Sequence, residues 1–91
     1  MTGLAVYFFN IPGAMMRVFN CFTRRGLLIE RVHCSPADNR HCALVLVDAT
    51  PAAIVQIVRE LESTVGVHQV ECLDPQAVEQ IAKLPSPAIP A

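Results

Sequence analysis

The sequence predicts an α+β domain with the element order βαββαβ, in which two helices cover one face of a four-stranded antiparallel sheet. Apolar runs of strand length alternate with amphipathic segments of helix length, and turn-forming residues separate them. The pattern also repeats, since Pro12 and Pro51 begin matching apolar stripes 39 positions apart. Two strand-helix-strand units with right-handed crossovers interleave into one sheet, the ferredoxin-like arrangement. The other face of the sheet is expected to be uncovered.

The first unit begins with a buried strand and an amphipathic helix. Residues 4–9 form a continuous apolar run, which is typical of a central strand. Residues 14–25 are predicted to be helical, and Gly26 is the left-handed residue that commonly follows a helix. The apolar face carries Met15, Val18, Phe19 and Phe22, and the polar face carries Arg17, Asn20 and Arg24.

A hairpin is predicted next. Its first strand runs from Leu27 to about Cys34, and its second strand runs from about Cys42 to Asp48. The segment between them, residues 35–39, is rich in turn-forming residues.

The second helix has clear signals at its start. Thr50 is expected to cap it, with Pro51 in the first helical position. Val65 is expected to extend it by another turn. Its apolar stripe consists of Ile54, Ile57, Val58 and Leu61. Glu60 and Glu62 fall on its polar side and are expected to be solvated.

The C-terminal part of the sequence predicts one more strand and a short helix. Residues 67–73 form the strand, and Asp74 is expected to cap a helix that continues to about Leu84. Residues 1–74 are therefore predicted to be one domain, followed by a short helix and a proline-rich tail within residues 75–91. The tail, from residue 85, is expected to be extended and mobile.

Composition excludes several classes of function. The 7 basic and 8 acidic residues are scattered along the chain and give a net charge of -1, which argues against nucleic-acid binding. No apolar run approaches the ~20 residues of a membrane span, so we expect a soluble, cytoplasmic protein with reduced cysteines. Hydrophobic residues make up 53% of the 91 residues, an excess for so small a domain that indicates a docking surface.

The loop between the first strand and the first helix is the candidate binding site. Gly13 has no β-carbon, so the backbone can approach a ligand closely beside the free N–H groups of a helix start, which suit a carboxylate. The Asn10 amide can both donate and accept hydrogen bonds, as recognition of an amino acid requires. An ordinary turn also selects Asn, Pro and Gly and is the alternative interpretation.

A metal site and an enzyme active site are both disfavoured. His33, Cys34, His41 and Cys42 flank the hairpin turn, but neighbouring residues of a strand face opposite sides, so only two of the four can converge. We predict packed cysteines, solvent-facing histidines and no metal. No Ser-His-Asp or Cys-His arrangement is identifiable, and the candidate loop has neither a Cys-x-x-Cys nor a phosphate-binding arginine. No catalytic residue and no cofactor are therefore predicted.

The element order and the motif Asn10-x-Pro12-Gly13 before the first helix resemble ACT domains, the amino-acid-sensing modules of metabolic regulation. The resemblance narrows to the regulatory small subunit of acetolactate synthase and covers roughly residues 3–73. The additional matching residues are Arg17-Val18, Phe22, Arg24-Arg25-Gly26, Ile29-Glu30, Leu61, Val67 and Val70.

This resemblance implies a noncatalytic subunit that forms a homodimer through its sheet and activates a catalytic large subunit, which uses thiamine diphosphate. It also implies feedback by valine or another branched-chain amino acid. In the family, the effector lies between the first loop of one copy and the start of the second strand of the other. That site corresponds to Asn10, Pro12, Gly13 and Ala14, together with Leu28.

Two departures from the family pattern accompany the resemblance. Leu28 replaces the asparagine that the family usually has, and a leucine side chain cannot hydrogen-bond an amino acid. Many members also carry an additional C-terminal domain, so the chain resembles a short form. The alternative function is a freestanding ACT-type amino-acid-binding module that regulates another enzyme or a transcription factor. The loop around Gly13 is the candidate binding site in both interpretations.

Overall fold

Seven helices and strands follow one another in the predicted order within residues 1–85, which the computed structural model describes. The strands are β1 (Thr2–Phe8), β2 (Ile29–Ala37), β3 (Arg40–Val47) and β4 (Val67–Cys72), and the helices are α1 (Ala14–Arg24), α2 (Pro51–Glu62) and α3 (Pro75–Ala82). Among these three helices, none combines the length and the apolar character needed to cross a bilayer. Apart from its first residue, the predicted mobile tail lies outside the described residues.

The sheet has the strand order β2-β3-β1-β4, and all of its pairings are antiparallel. This is the ferredoxin-like topology, so the predicted fold class is confirmed. Thr2 of β1 pairs with Val47 of β3 at one end of the sheet, and Phe8 pairs with His41 at the other end. The loop that follows β1 therefore lies at the opposite end of the sheet from the start of β2, where Ile29 pairs with Val47.

The core lies between the sheet and helices α1 and α2. Val18 and Phe22 of α1, and Ile57 and Leu61 of α2, are completely buried against β1 and β3. These residues occupy equivalent positions in the two halves, so the predicted repeat is confirmed. Burying each such side chain stabilises the fold by roughly 1.5 to 3 kcal/mol.

Helix α1 ends as predicted, but β2 begins later than expected. Gly26 has a φ of 69°, its N–H donates to the Thr23 carbonyl, and the Leu27 N–H donates to the Phe22 carbonyl. These two bonds form a Schellman motif, which uses Leu27 to terminate the helix. The predicted start of β2 at Leu27 was therefore wrong, and the strand begins at Ile29.

The hairpin turn is shorter than predicted. Strand β2 continues through Pro36 to Ala37, which pairs with Arg40, so only residues 38–39 connect the two strands. Asp38 adopts a φ of 60°, a conformation that Asp tolerates in tight turns. Pro36 is compatible with a strand here because β2 is an edge strand, where one side needs no ladder hydrogen bond.

Helix α2 does not reach Val65, contrary to the prediction. It ends at Glu62, where the hydroxyls of Ser63 and Thr64 both donate to the Glu60 carbonyl. Hydroxyls of this kind compete with backbone N–H groups for the last helical carbonyls. Val65 consequently lies in the connection to β4 and is 70% exposed.

The second face of the sheet is not bare, contrary to the prediction. Helix α3 packs across one end of it, so Leu46 is buried there, and Ile81 of the helix is 7% exposed. A β-carbon on Gly3 would lie 2.8 Å from Val78 Cγ2, so the close approach of α3 requires glycine at this position. Arg31 of β2 also donates to the carbonyls of Ile81 and Leu84 and holds the end of the helix.

Candidate functional site

The loop between β1 and α1 is held by backbone hydrogen bonds. The Phe9 N–H donates to the Gly66 carbonyl over 2.9 Å, which ties the loop to the connection before β4. The Ile11 N–H then donates to the Phe9 carbonyl, and the Ala14 N–H donates to the Ile11 carbonyl at 3.1 Å. These bonds turn the chain sharply and place residues 10–13 at the surface.

Gly13 occupies the N-cap position of α1 in a left-handed conformation, with φ 81° and ψ -5°. Most residues are strained in this region, and glycine is not. Because glycine has no side chain, it cannot cap the helix, and the first turn of α1 carries no acidic residue. The positive end of the helix is therefore left to solvent or to a bound anion.

The predicted site residues of this loop lie around one opening of about 370 Å³. It is lined by Asn10, Ile11, Pro12, Gly13, Met15 and Met16. Asn10, Pro12 and Gly13 are exposed. Ala14 is buried, and its N–H is already bonded to the Ile11 carbonyl, so it supports the opening from below.

Leu28, the remaining predicted site residue, lies far from this opening within one chain. It directly precedes β2, at the Thr2 end of the sheet, whereas Gly13 lies beyond the Phe8 end. Its side chain is 77% exposed. A site that combines Leu28 with Gly13 therefore requires two copies of the chain.

Arg17 lies beside the candidate loop, which the sequence interpretation missed. Its guanidinium donates from Nη2 to the Pro12 carbonyl at 3.3 Å and from Nε to the Val65 carbonyl at 3.2 Å. A β-carbon on Gly13 would lie 2.9 Å from Arg17 Nη1, so the guanidinium covers one side of the glycine. Two sequence signals were available, the place of Arg17 on the polar face of α1 and its match to the family pattern, but neither placed it beside Gly13. The structure puts its positive charge beside the helix start.

The carboxylate of Glu60 is not simply solvated, contrary to the prediction. It pairs with Arg24 at 2.6 Å and with Arg25 at 2.8 Å. Arg25 also donates to the side-chain amide oxygen of Gln56 at 2.9 Å. These contacts join the end of α1 to α2 across the surface of the helix layer.

The histidines and cysteines around the hairpin are divided between the two faces of the sheet. By register, His33 and Cys42 face the α3 side, while Cys34 and His41 face the helix-covered side. The prediction of packed cysteines and solvent-facing histidines was wrong, because Cys34 is exposed and the His41 ring lies 5.9 Å from the Phe8 ring. Within residues 1–85, no three His, Cys, Asp or Glu side chains are grouped to hold a metal ion.

The thiols near the hairpin are not activated as nucleophiles. Burial raises the pKa of Cys42 above its ordinary value. Burial also raises the pKa of Cys34, and the nearby Cys42 adds to that shift. Both groups are therefore protonated at neutral pH, whereas reactive cysteines are thiolates.

Solved structures similar to the chain include one with recognisable sequence identity. The acetolactate synthase small subunit from Thermotoga maritima has a TM-score of 0.72 and 28% identity over 81% of this chain. The match covers 47% of that protein, so the chain spans about half the length of this relative. Both the fold and part of the sequence are thus shared.

More distant structures share the fold alone. The ACT domain of a GTP pyrophosphokinase from Chlorobium tepidum has a TM-score of 0.66 and 16% identity, and the match covers 79% of this chain and 95% of that domain. A homoserine dehydrogenase from Thiobacillus denitrificans has a TM-score of 0.66 and 14% identity over 79% of this chain and 16% of the enzyme. No protein-family model and no curated protein matches the chain.

Proposed function

Because this chain is an ACT domain similar to the acetolactate synthase small subunit of Thermotoga maritima, we propose that it is a noncatalytic regulatory subunit of an acetolactate synthase. In this proposal it acts in the cytoplasm, where it activates the catalytic large subunit for branched-chain amino-acid biosynthesis. The observation that carries the proposal is the 28% identity to that small subunit over 81% of the chain.

In this proposal the large subunit is the catalytic one and would hold thiamine diphosphate. The thiols near the hairpin have raised pKa values, and the imidazoles there lie on different faces of the sheet. This arrangement suits a binding module better than an enzyme. Activation would need only a docking surface, and exposed apolar side chains such as Met16 and Val65 can contribute to one.

The proposed effector is valine or another branched-chain amino acid, held at the opening around Gly13. Its carboxylate would face the uncapped start of α1, and the Asn10 amide would bond its polar groups. Leu28 of a second copy can contact the branched side chain but cannot hydrogen-bond the effector. The site is therefore proposed to form in a homodimer, because one chain holds Gly13 and Leu28 at opposite ends of its sheet.

Activation can be tested by adding the purified chain to the acetolactate synthase large subunit of the same organism and measuring acetolactate formation. We expect a higher rate that saturates with the concentration of the chain. The matched control is a second ACT domain of similar size from another enzyme, which should have no effect. An unchanged rate, with no complex on size-exclusion chromatography, would contradict the proposal.

The alternative function, a freestanding amino-acid-binding module, makes a different prediction. Calorimetric titration with valine, leucine and isoleucine is combined with a pull-down of the large subunit. Capture of the large subunit supports the proposed regulatory role, whether or not an amino acid binds. Tight amino-acid binding without capture supports the freestanding module.

A further inference from the structure

A groove of about 400 Å³ lies on the helix layer, between α1 and the connection that precedes β4. It is lined by Arg17, Asn20, Arg24, Thr64 and Val65. Asn20, Arg24, Thr64 and Val65 do not line the opening around Gly13. Arg17 lies between that opening and this groove. Three of the lining residues occupy positions i, i+3 and i+7 of α1, so they share one helical face.

The groove has an excess of positive charge. Within residues 1–85, Arg17 forms no ion pair, and its guanidinium contacts two backbone carbonyls instead. Arg24 shares the single carboxylate of Glu60 with Arg25. Two guanidinium groups thus share one carboxylate, and Arg17 adds a positive charge that no carboxylate of the described residues pairs with, although the whole chain has a net charge of -1.

The arginines are also held in place. Arg17 is fixed through the Pro12 and Val65 carbonyls, and within residues 1–85 its Nη1 group has no hydrogen-bond partner. The Nε group of Arg24 donates to the Asn20 carbonyl at 3.3 Å. Immobilised guanidinium groups lose little entropy on binding, and their planar fork matches the oxygens of phosphates and carboxylates.

We propose that this groove binds a small organic oxyanion with two or more negative charges, either a phosphate ester or a di- or tricarboxylate. Arg17 and Arg24 are about 10 Å apart along the helix axis, so charges at both ends of such a ligand can be paired. The Asn20 amide adds a hydrogen-bonding group between them. Val65, which is 70% exposed, can contact the carbon skeleton. The proposal goes beyond the regulatory function and does not require a synthase.

The test is a titration of the isotope-labelled chain followed by NMR. Glycerol 3-phosphate and citrate are added separately, with sodium chloride at equal ionic strength as the reference. We expect the backbone signals of Asn20, Thr64 and Val65 and the Nε–H signal of Arg17 to shift in a saturable way. Saturation by only one of the two probes identifies the ligand class, and saturation by both supports the shared oxyanion chemistry.

Variants separate a built site from general charge attraction. Arg17→Gln and Arg24→Gln should each weaken binding roughly tenfold, because each removes a charge-assisted hydrogen bond. Arg59→Gln removes an exposed arginine of α2 outside the groove and should leave affinity unchanged. Thermal unfolding of each variant verifies that the fold is retained.

One variant should strengthen binding, which a purely structural role for the arginines does not predict. Glu60→Gln removes the carboxylate that competes for Arg24 and should raise the affinity for citrate or glycerol 3-phosphate several-fold. The proposal is overturned if neither probe shifts the groove signals up to about 10 mM. It is also overturned if Arg59→Gln weakens binding as much as Arg24→Gln does.

Discussion

The two helices of the core begin in different ways, although they occupy equivalent positions in the two halves of the chain. Helix α2 has Thr50 at its N-cap, and the Thr50 hydroxyl accepts a hydrogen bond from the Ala53 N–H at 3.2 Å. Helix α1 has Gly13 at its N-cap and no capping side chain. Pro51 lies in the first position of its helix, whereas Pro12 lies before the N-cap.

This difference between the two helix starts indicates that one contributes to stability and the other is available for binding. The buried faces of the two helices carry apolar residues at equivalent positions, as expected when both pack against one sheet. At the beginning of α2 the Thr50 hydroxyl satisfies one of the free N–H groups, which contributes about 1 kcal/mol to stability. At the beginning of α1 no side chain accepts from the N–H groups that follow Ala14, and the opening around Gly13 lies beside them.

The largest predicted effect tests the apolar core positions that the two halves of the chain have in common. Ile57→Asp places a carboxylate at a completely buried position of α2, and Val18→Asp does the same in α1. Burying an unpaired carboxylate costs several kcal/mol, comparable with the total stability of a small domain. Both variants should be unfolded by circular dichroism. Val55→Asp, at a position that is 52% exposed on α2, is the control and should remain folded. A folded Ile57→Asp variant would contradict the proposed core.

The second prediction tests the uncapped helix start. Gly13→Asp and Gly13→Asn introduce side chains of similar shape, and each should destabilise the fold by about 1 kcal/mol because φ is 81° there. Only Asp adds a negative charge where the carboxylate of an amino acid would lie. By calorimetry, valine binding should therefore be lost in Gly13→Asp and weakened less in Gly13→Asn. Equal affinities for both variants would argue against a carboxylate at this position.

Beyond the fold class and the repeat, the features that the sequence predicted correctly are local ones. Thr50 before Pro51 predicted the start of α2, and Gly26 after an amphipathic stretch predicted the end of α1. Both predictions depend only on the backbone geometry of neighbouring residues. Arg17 could not be assigned in this way, because its contact with Gly13 depends on the approach of the Val65 carbonyl from the second half of the chain. Tertiary packing decided that position, which neither the helical spacing of Arg17 nor its match to the family pattern could specify.

The placement of α3 was missed for a similar reason. Its start was predicted from Asp74, whose carboxylate accepts from the Ala77 N–H at 2.7 Å. Where the helix would pack was not encoded locally. The decisive feature is Gly3, which lies more than 70 residues earlier in the sequence and leaves room for Val78. A glycine within an apolar strand was the available signal, because it often marks a close approach of another segment.

The third prediction concerns the capped helix and is smaller. Thr50→Ala removes the hydroxyl that accepts the Ala53 N–H, so the free energy of unfolding should fall by about 1 kcal/mol. For a domain of this size, that corresponds to a decrease of roughly 4 to 8 °C in the melting temperature. Amino-acid binding should not change, because the opening lies at the start of the other helix. Loss of binding in Thr50→Ala would show that the two helix starts are coupled.

The smallest predicted effect concerns the ion pairs that join the halves. Arg25→Gln removes one of the two arginines on Glu60, but Arg24 still contacts that carboxylate at 2.6 Å. Partly exposed pairs of this kind contribute about 0.2 to 1 kcal/mol and weaken as salt increases. Urea unfolding should therefore show a loss below about 1 kcal/mol that shrinks at high salt, whereas the loss in Thr50→Ala should not depend on salt. A salt-independent loss above about 2 kcal/mol would mean that Arg25 stabilises the halves by packing its side chain rather than by its charge.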